Sequence, residues 1–89
     1  MRNLNLSSDA AGFLTGLEAK QSRQLWNKIV ALMKNARPND SLDIGNGRFR
    51  TSVGEFRIVY GFDDTTLYVS VVGKRNDDNV YKQAARKKR

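Results

Sequence analysis

The chain contains no cysteine and no histidine, and only one proline among its 89 residues. Without cysteine there are no disulfides and no thiolate metal sites. Without histidine the commonest general acid–base and the commonest metal ligand are both missing. A metal-independent chemistry without a cofactor is therefore expected, and any proton transfer must use other groups. No apolar run approaches the length of a membrane span, and the N-terminus has no signal-peptide apolar region. No membrane association and a cytoplasmic location are the expectations. There is no internal repeat, linker or low-complexity segment, so residues 1–89 are read as a single domain with one modest core.

What is present is positive charge. Sixteen Lys and Arg stand against nine Asp and Glu, a net charge of +7. That density favours a polyanionic partner, most often nucleic acid. An acidic protein would satisfy it equally well, and a solvated basic surface with no role would also show it.

The alternation of Leu4 and Leu6 suits a short first strand. The cluster "SSD" at residues 7–9 is a helix N-cap signal, and Phe13, Leu14 and Leu17 recur at helical spacing up to a break near Gly16. A longer helix is expected from about Glu18 to Asn35, with Leu25, Trp26, Ile29, Val30, Leu32 and Met33 as its apolar stripe. Lys20, Arg23, Lys28 and Lys34 form most of its opposite face. Pro38 ends it, because proline cannot continue a helix and restricts the residue before it.

Beyond Pro38 the period changes to two. Phe49 and Thr51 alternate with Arg48 and Arg50. Phe56, Ile58 and Tyr60 alternate with Arg57 and Val59. Leu67, Val69 and Val71 alternate with Tyr68, Ser70 and Val72. Turns fall at "SVGE" and "FDDT". The expected fold class is α+β: a short N-terminal strand, a two-helix hairpin and an antiparallel three-stranded meander packed on the helices. Pairing Phe49 with Ile58 and Thr51 with Phe56 keeps one face apolar. It also sets Arg50 directly opposite Arg57, with Ser70 beside Arg57.

The second sheet face is then a row of arginines, Arg48, Arg50 and Arg57, with Lys74 and Arg75 just past the last strand. Planar guanidinium groups match phosphate oxygens in bidentate fashion. Tyr81 follows, and then a basic tail containing Lys82, Arg86, Lys87 and Lys88. Aromatic rings that stack bases beside cations that hold phosphates are the chemistry of single-stranded RNA binding.

The order strand, helix, helix, meander, together with "GEFRIVY", "LYVSVVGKR", Tyr81 and the run from Leu25 to Pro38, resembles the RelE/ParE superfamily of small bacterial toxins over nearly the whole chain. The RelE branch consists of ribosome-dependent endoribonucleases that cleave mRNA in the ribosomal A site. By position, the resemblance places its catalytic residues on Arg48, Arg50, Arg57, Arg75 and Tyr81. It implies as partners a cognate antitoxin and the 70S ribosome with its mRNA, the ribosomal RNA being met by Lys74 and the basic tail. The first two catalytic positions hold lysine in the best-known member and arginine here. Two alternatives stay open: a gyrase-inhibiting toxin of the ParE branch with the same fold, and a non-catalytic RNA-binding module.

Overall fold

In a computed structural model of the chain, residues 1–74 are described. They form, in order, β1 (Asn3–Leu6), α1 (Ser8–Thr15), α2 (Ala19–Lys34), β2 (Leu42–Gly45), β3 (Arg48–Val53), β4 (Phe56–Phe62) and β5 (Thr66–Lys74). None of these helices is long and apolar enough to cross a membrane.

The helix limits follow from local chemistry. Ser7 caps α1, its hydroxyl accepting from the Ala10 amide at 3.1 Å, which satisfies one of the amides a helix start leaves unpaired. Gly16 closes α1, and α2 lies between Glu18 and Asn35 as its flanking residues. Leu25, Ile29 and Leu32, spaced by four and three, are fully buried on α2. Trp26 and Val30 fall outside that contact and are exposed, so the buried stripe is narrower than the sequence suggests.

The α+β class and the meander β3–β4–β5 are as expected, within a larger mixed sheet of five strands ordered β1-β5-β4-β3-β2. β1 adds in parallel beside β5, with Leu4 opposite Leu67 and Leu6 opposite Val69. The amide of Arg2 donates to the carbonyl of Met33, tying this edge to the end of α2. β2 covers the other edge, a strand the alternation did not reveal because its four residues, Leu-Asp-Ile-Gly, include one half-buried side chain and no buried one.

Both helices pack on one face of the sheet. Ala10 and Leu14 of α1 and Leu25, Ile29 and Leu32 of α2 meet Phe49, Phe56, Ile58, Tyr60, Leu67, Val69 and Val72. Phe49, Tyr60 and Phe62 form an aromatic layer, with Phe49 and Phe62 centroids 5.3 Å apart. The buried Tyr60 hydroxyl donates to the Ala36 carbonyl at 2.7 Å, fixing the chain after α2 to the sheet.

The register of β3 on β4 differs from expectation by two residues. Phe49 pairs with Tyr60, Thr51 with Ile58 and Val53 with Phe56, so Arg50 lies opposite Val59 and Arg57 opposite Ser52. The arginines are staggered rather than opposed. The tight turn is the cause: Gly54 takes φ +57°, a conformation open to glycine, and the two-residue loop Gly54–Glu55 permits two more pairs than a four-residue loop. The stagger also avoids placing like charges directly opposite each other.

A β-bulge interrupts β5 between Val69 and Val71, which pair with Tyr60 and Val59. The extra residue, Ser70, reverses the alternation after it. Val72 therefore enters the core and Val71 turns to the other face, the opposite of a strict period of two.

Candidate nucleic-acid interface

The sheet face turned away from the helices carries Arg48 and Arg50 from β3 and Arg57 from β4, each half-buried. All three cations thus share the face that alternation assigns them. Val59 and Val71 also point to this side, and Ile44 of β2 packs on them as a small second apolar cluster. An apolar floor beneath cations lowers the local dielectric and strengthens their attraction for an anion. Arg57 lies opposite Gly73 of β5.

The bulge also brings Ser70 within reach of this face. Arg48 Nη1 donates to Ser70 Oγ at 3.1 Å, so a side chain from β3 reaches across β4 to β5. Gly61, next along β4 from the Phe49–Tyr60 pair, has no side chain to obstruct that path. Ser70 is fixed in turn by Ser7, whose hydroxyl donates to the Ser70 carbonyl at 2.6 Å. The N-cap of α1 thereby steadies the bulge residue that receives Arg48. Ser70 meets Arg48, a partnership the expected register did not foresee. The sequence signal was the pair Val71–Val72, two consecutive valines that break the alternation and mark a bulge.

No carboxylate lies along the arginine strands. Glu55, the acid between Arg50 and Arg57 in sequence, accepts from Gln21 Nε2 at 3.2 Å and is drawn toward α2. Two other arginines are held on aromatic rings: Arg37 over Phe49 at 4.6 Å and Arg2 over Phe62 at 4.9 Å. Asp40 accepts from Lys28 Nζ at 2.8 Å and from Thr51 Oγ1 at 3.0 Å. The Lys28 hydrogen bond is the main cause of its carboxyl titrating below the usual range. Asp63 is likewise lowered, chiefly by the Thr65 amide, while burial raises the Tyr60 phenol. Among the described residues, neither Asp40 nor Asp63 belongs to the arginine row, which contributes positive charge to this face.

Lys74 pairs with Phe56 at the start of β4, beside the Gly54 turn, as the expected strand end requires. It is exposed, and the register puts it on the side of the sheet shared with Phe56 rather than with Arg57. Arg75, Tyr81, Lys82, Arg86, Lys87 and Lys88 lie outside the described residues. Among the described residues no group of His, Cys, Asp or Glu side chains could hold a metal ion. A cleft of about 380 Å³ opens between α1 and α2, lined by Leu6, Leu14, Leu17 and Trp26 among others. It carries no ionisable side chain, so the arginine face remains the better site for anion chemistry.

Neither a family model nor a curated relative matches the sequence. Solved structures do. A mutant of the E. coli toxin RelE in the free state matches with a TM-score of 0.82 at 22% identity, over 97% of this chain and 96% of that one. The RelE–RelB toxin–antitoxin complex of E. coli gives 0.74 at 21% identity, over 86% and 100%. An archaeal RelE–RelB complex from Pyrococcus horikoshii gives 0.69 at 14% identity, over 84% and 96%. The chain has the RelE fold.

Proposed function

We propose that the chain is the toxin of a type II toxin–antitoxin system, acting as a ribosome-dependent endoribonuclease on mRNA in the A site. The observation that carries this reading is the arginine row itself: three guanidinium-bearing side chains on one face of a RelE-type sheet.

RNA supplies its own nucleophile. The 2′-oxygen attacks the adjacent phosphorus, forming a 2′,3′-cyclic phosphate as the bond to the 5′-oxygen breaks. The 2′-proton leaves to solvent or a relay, and the 5′-oxygen gains a proton. Negative charge grows on the equatorial oxygens, where preorganised cations contribute most. Arg48 and Arg57 bind the phosphate and stabilise that charge. Arg50 orients the 2′-hydroxyl, since an arginine is effectively always protonated and serves poorly as a base. Arg75 stabilises the leaving oxygen and Tyr81 stacks on a nucleotide. Such a site is weak on free RNA, and the ribosome supplies the missing alignment, worth roughly 7–11 kcal/mol in the best cases. Lys74, Lys82, Arg86, Lys87 and Lys88 contact ribosomal RNA, and a cognate antitoxin covers the toxin, as RelB accompanies RelE in the complexes of similar fold.

The test is a translation reaction with primer-extension mapping of the mRNA. Cuts at A-site codons that require ribosomes and vanish in Arg57→Ala are expected. Inhibition of DNA gyrase without mRNA cleavage would overturn this reading in favour of the other branch of the fold.

A further inference from the structure

We propose that Tyr68, with Arg48, forms a shelf that stacks a base of single-stranded RNA on the outer sheet face. The proposal rests on the reading that this face takes RNA.

Tyr68 is 42% exposed, whereas the core aromatics Phe56 and Tyr60 are sealed off. In β5 it lies opposite Gly61 of β4 on one side and Asn5 of β1 on the other. Aromatic side chains stabilise a sheet by packing on bulky cross-strand partners, and neither neighbour supplies one. The ring can cover the Gly61 backbone, yet a large part of it stays open to solvent. The parity of the pairing sets it on the same face as Arg48, Arg50 and Arg57.

Its surroundings suit a flat guest whose phosphate lies toward Arg48, away from the Asp63 carboxylate at the ring tip. A Cβ at Gly61 would come to 3.0 Å from the Gly47 carbonyl, so that backbone oxygen excludes a side chain there and no bulky group stands between Arg48 and Tyr68 at this position. Arg48 comes next on β3 and reaches across to Ser70, two residues from Tyr68. The cation therefore ends on the strand that carries the ring. The Tyr68 hydroxyl donates to Asp63 Oδ2 at 3.3 Å. Asp63 itself is anchored, its other oxygen accepting from the Thr65 and Thr66 amides at 2.8 Å each. A ring held at its tip loses less freedom when a base stacks on it. Exposed rings on a sheet, with cations beside them, grip single strands by stacking and phosphate contact together. Asn5, exposed at the end of the row, adds hydrogen-bonding capacity at the base edge.

The test is binding of a short labelled oligoadenylate carrying 2′-O-methyl groups, which cannot be cleaved through the 2′-oxygen. It is titrated with the full chain at low salt, without ribosomes. Tyr68→Ala is expected to weaken binding roughly 10-fold, the scale of one lost base–aromatic stack. Tyr68→Phe keeps the ring and is expected to stay within about threefold of wild type. Thermal melts should show all three proteins folded. Unchanged binding in Tyr68→Ala, equal losses in both variants, or no binding by the wild type would each overturn the shelf. Tyr68-dependent binding by a protein that fails to cut mRNA on ribosomes would sink the nuclease reading and leave the shelf standing.

Discussion

Ser70→Ala removes one hydroxyl and little else. The Ser70 carbonyl remains to accept from Ser7, so the bulge and the N-cap of α1 stay tied together. Among the described residues, the side-chain bond lost is the 3.1 Å bond accepted from Arg48 Nη1. A hydrogen bond to a charged group contributes about 1.5–3 kcal/mol net. Arg48 and Ser70 are both half-buried, and water can replace part of the bond, which sets the expectation at the low end, about 1–1.5 kcal/mol. If that energy serves to aim the guanidinium at the scissile phosphate, single-turnover cleavage on programmed ribosomes should fall roughly 5- to 10-fold. Removing the cation itself, in Arg48→Ala, should cost ~10²–10³-fold, the scale for loss of one donor to a developing oxyanion. Ser70→Thr keeps the hydroxyl on a strand-favouring side chain and should recover most of the rate. The melting temperature of Ser70→Ala should fall by no more than roughly 4–12 °C, the scale of that energy in a domain of this size, with the protein still folded at the assay temperature. A wild-type cleavage rate in Ser70→Ala refutes the idea that Ser70 aims Arg48. Equal losses in the alanine and threonine variants would assign the effect to the bulge backbone instead.

Three further outcomes bear on the scaffold. Tyr60→Phe leaves the Ala36 carbonyl without its 2.7 Å donor at a buried site, and denaturant unfolding should show a loss of about 1–3 kcal/mol. Asp40 titrates low when folded, chiefly through its hydrogen bond from Lys28, so its contribution is present above the ordinary carboxylate pKa and fades as pH falls through the folded value. Because its side chain is half exposed, Asp40→Asn should cost under about 1 kcal/mol at neutral pH, with the gap from wild type closing in acid melts; a gap that widens in acid would contradict the sign. At Gly54 a Cβ would meet only the Gln24 side chain, at 3.6 Å or more, but φ is +57°. Gly54→Ala should therefore destabilise by about 1–2 kcal/mol from backbone strain alone, and a more stable protein would refute that origin.

The ends of both helices were legible because capping is local. Ser7, Gly16 and Asn35 act within a turn of their own positions. The face carried by Arg48, Arg50 and Arg57 was legible for a similar reason, since alternation is a property of neighbouring residues and any shift by two preserves it. That invariance also left the register undecided. A pairing with Arg50 opposite Arg57 and the actual one, with Arg50 opposite Val59, give the same apolar face. Only competition between a longer loop and a tight Gly54 turn with additional ladder bonds chose between them. The parallel addition of β1 beside β5 depended on α1 and α2 covering the same face of the sheet. The contact of Arg48 with Ser70 needed three strands in register and a bulge buttressed by Ser7. Sequence by itself determined which residues could face an anion. Tertiary structure decided which of them meet, because distances across strands are set by the assembled ladder rather than by spacing along the chain.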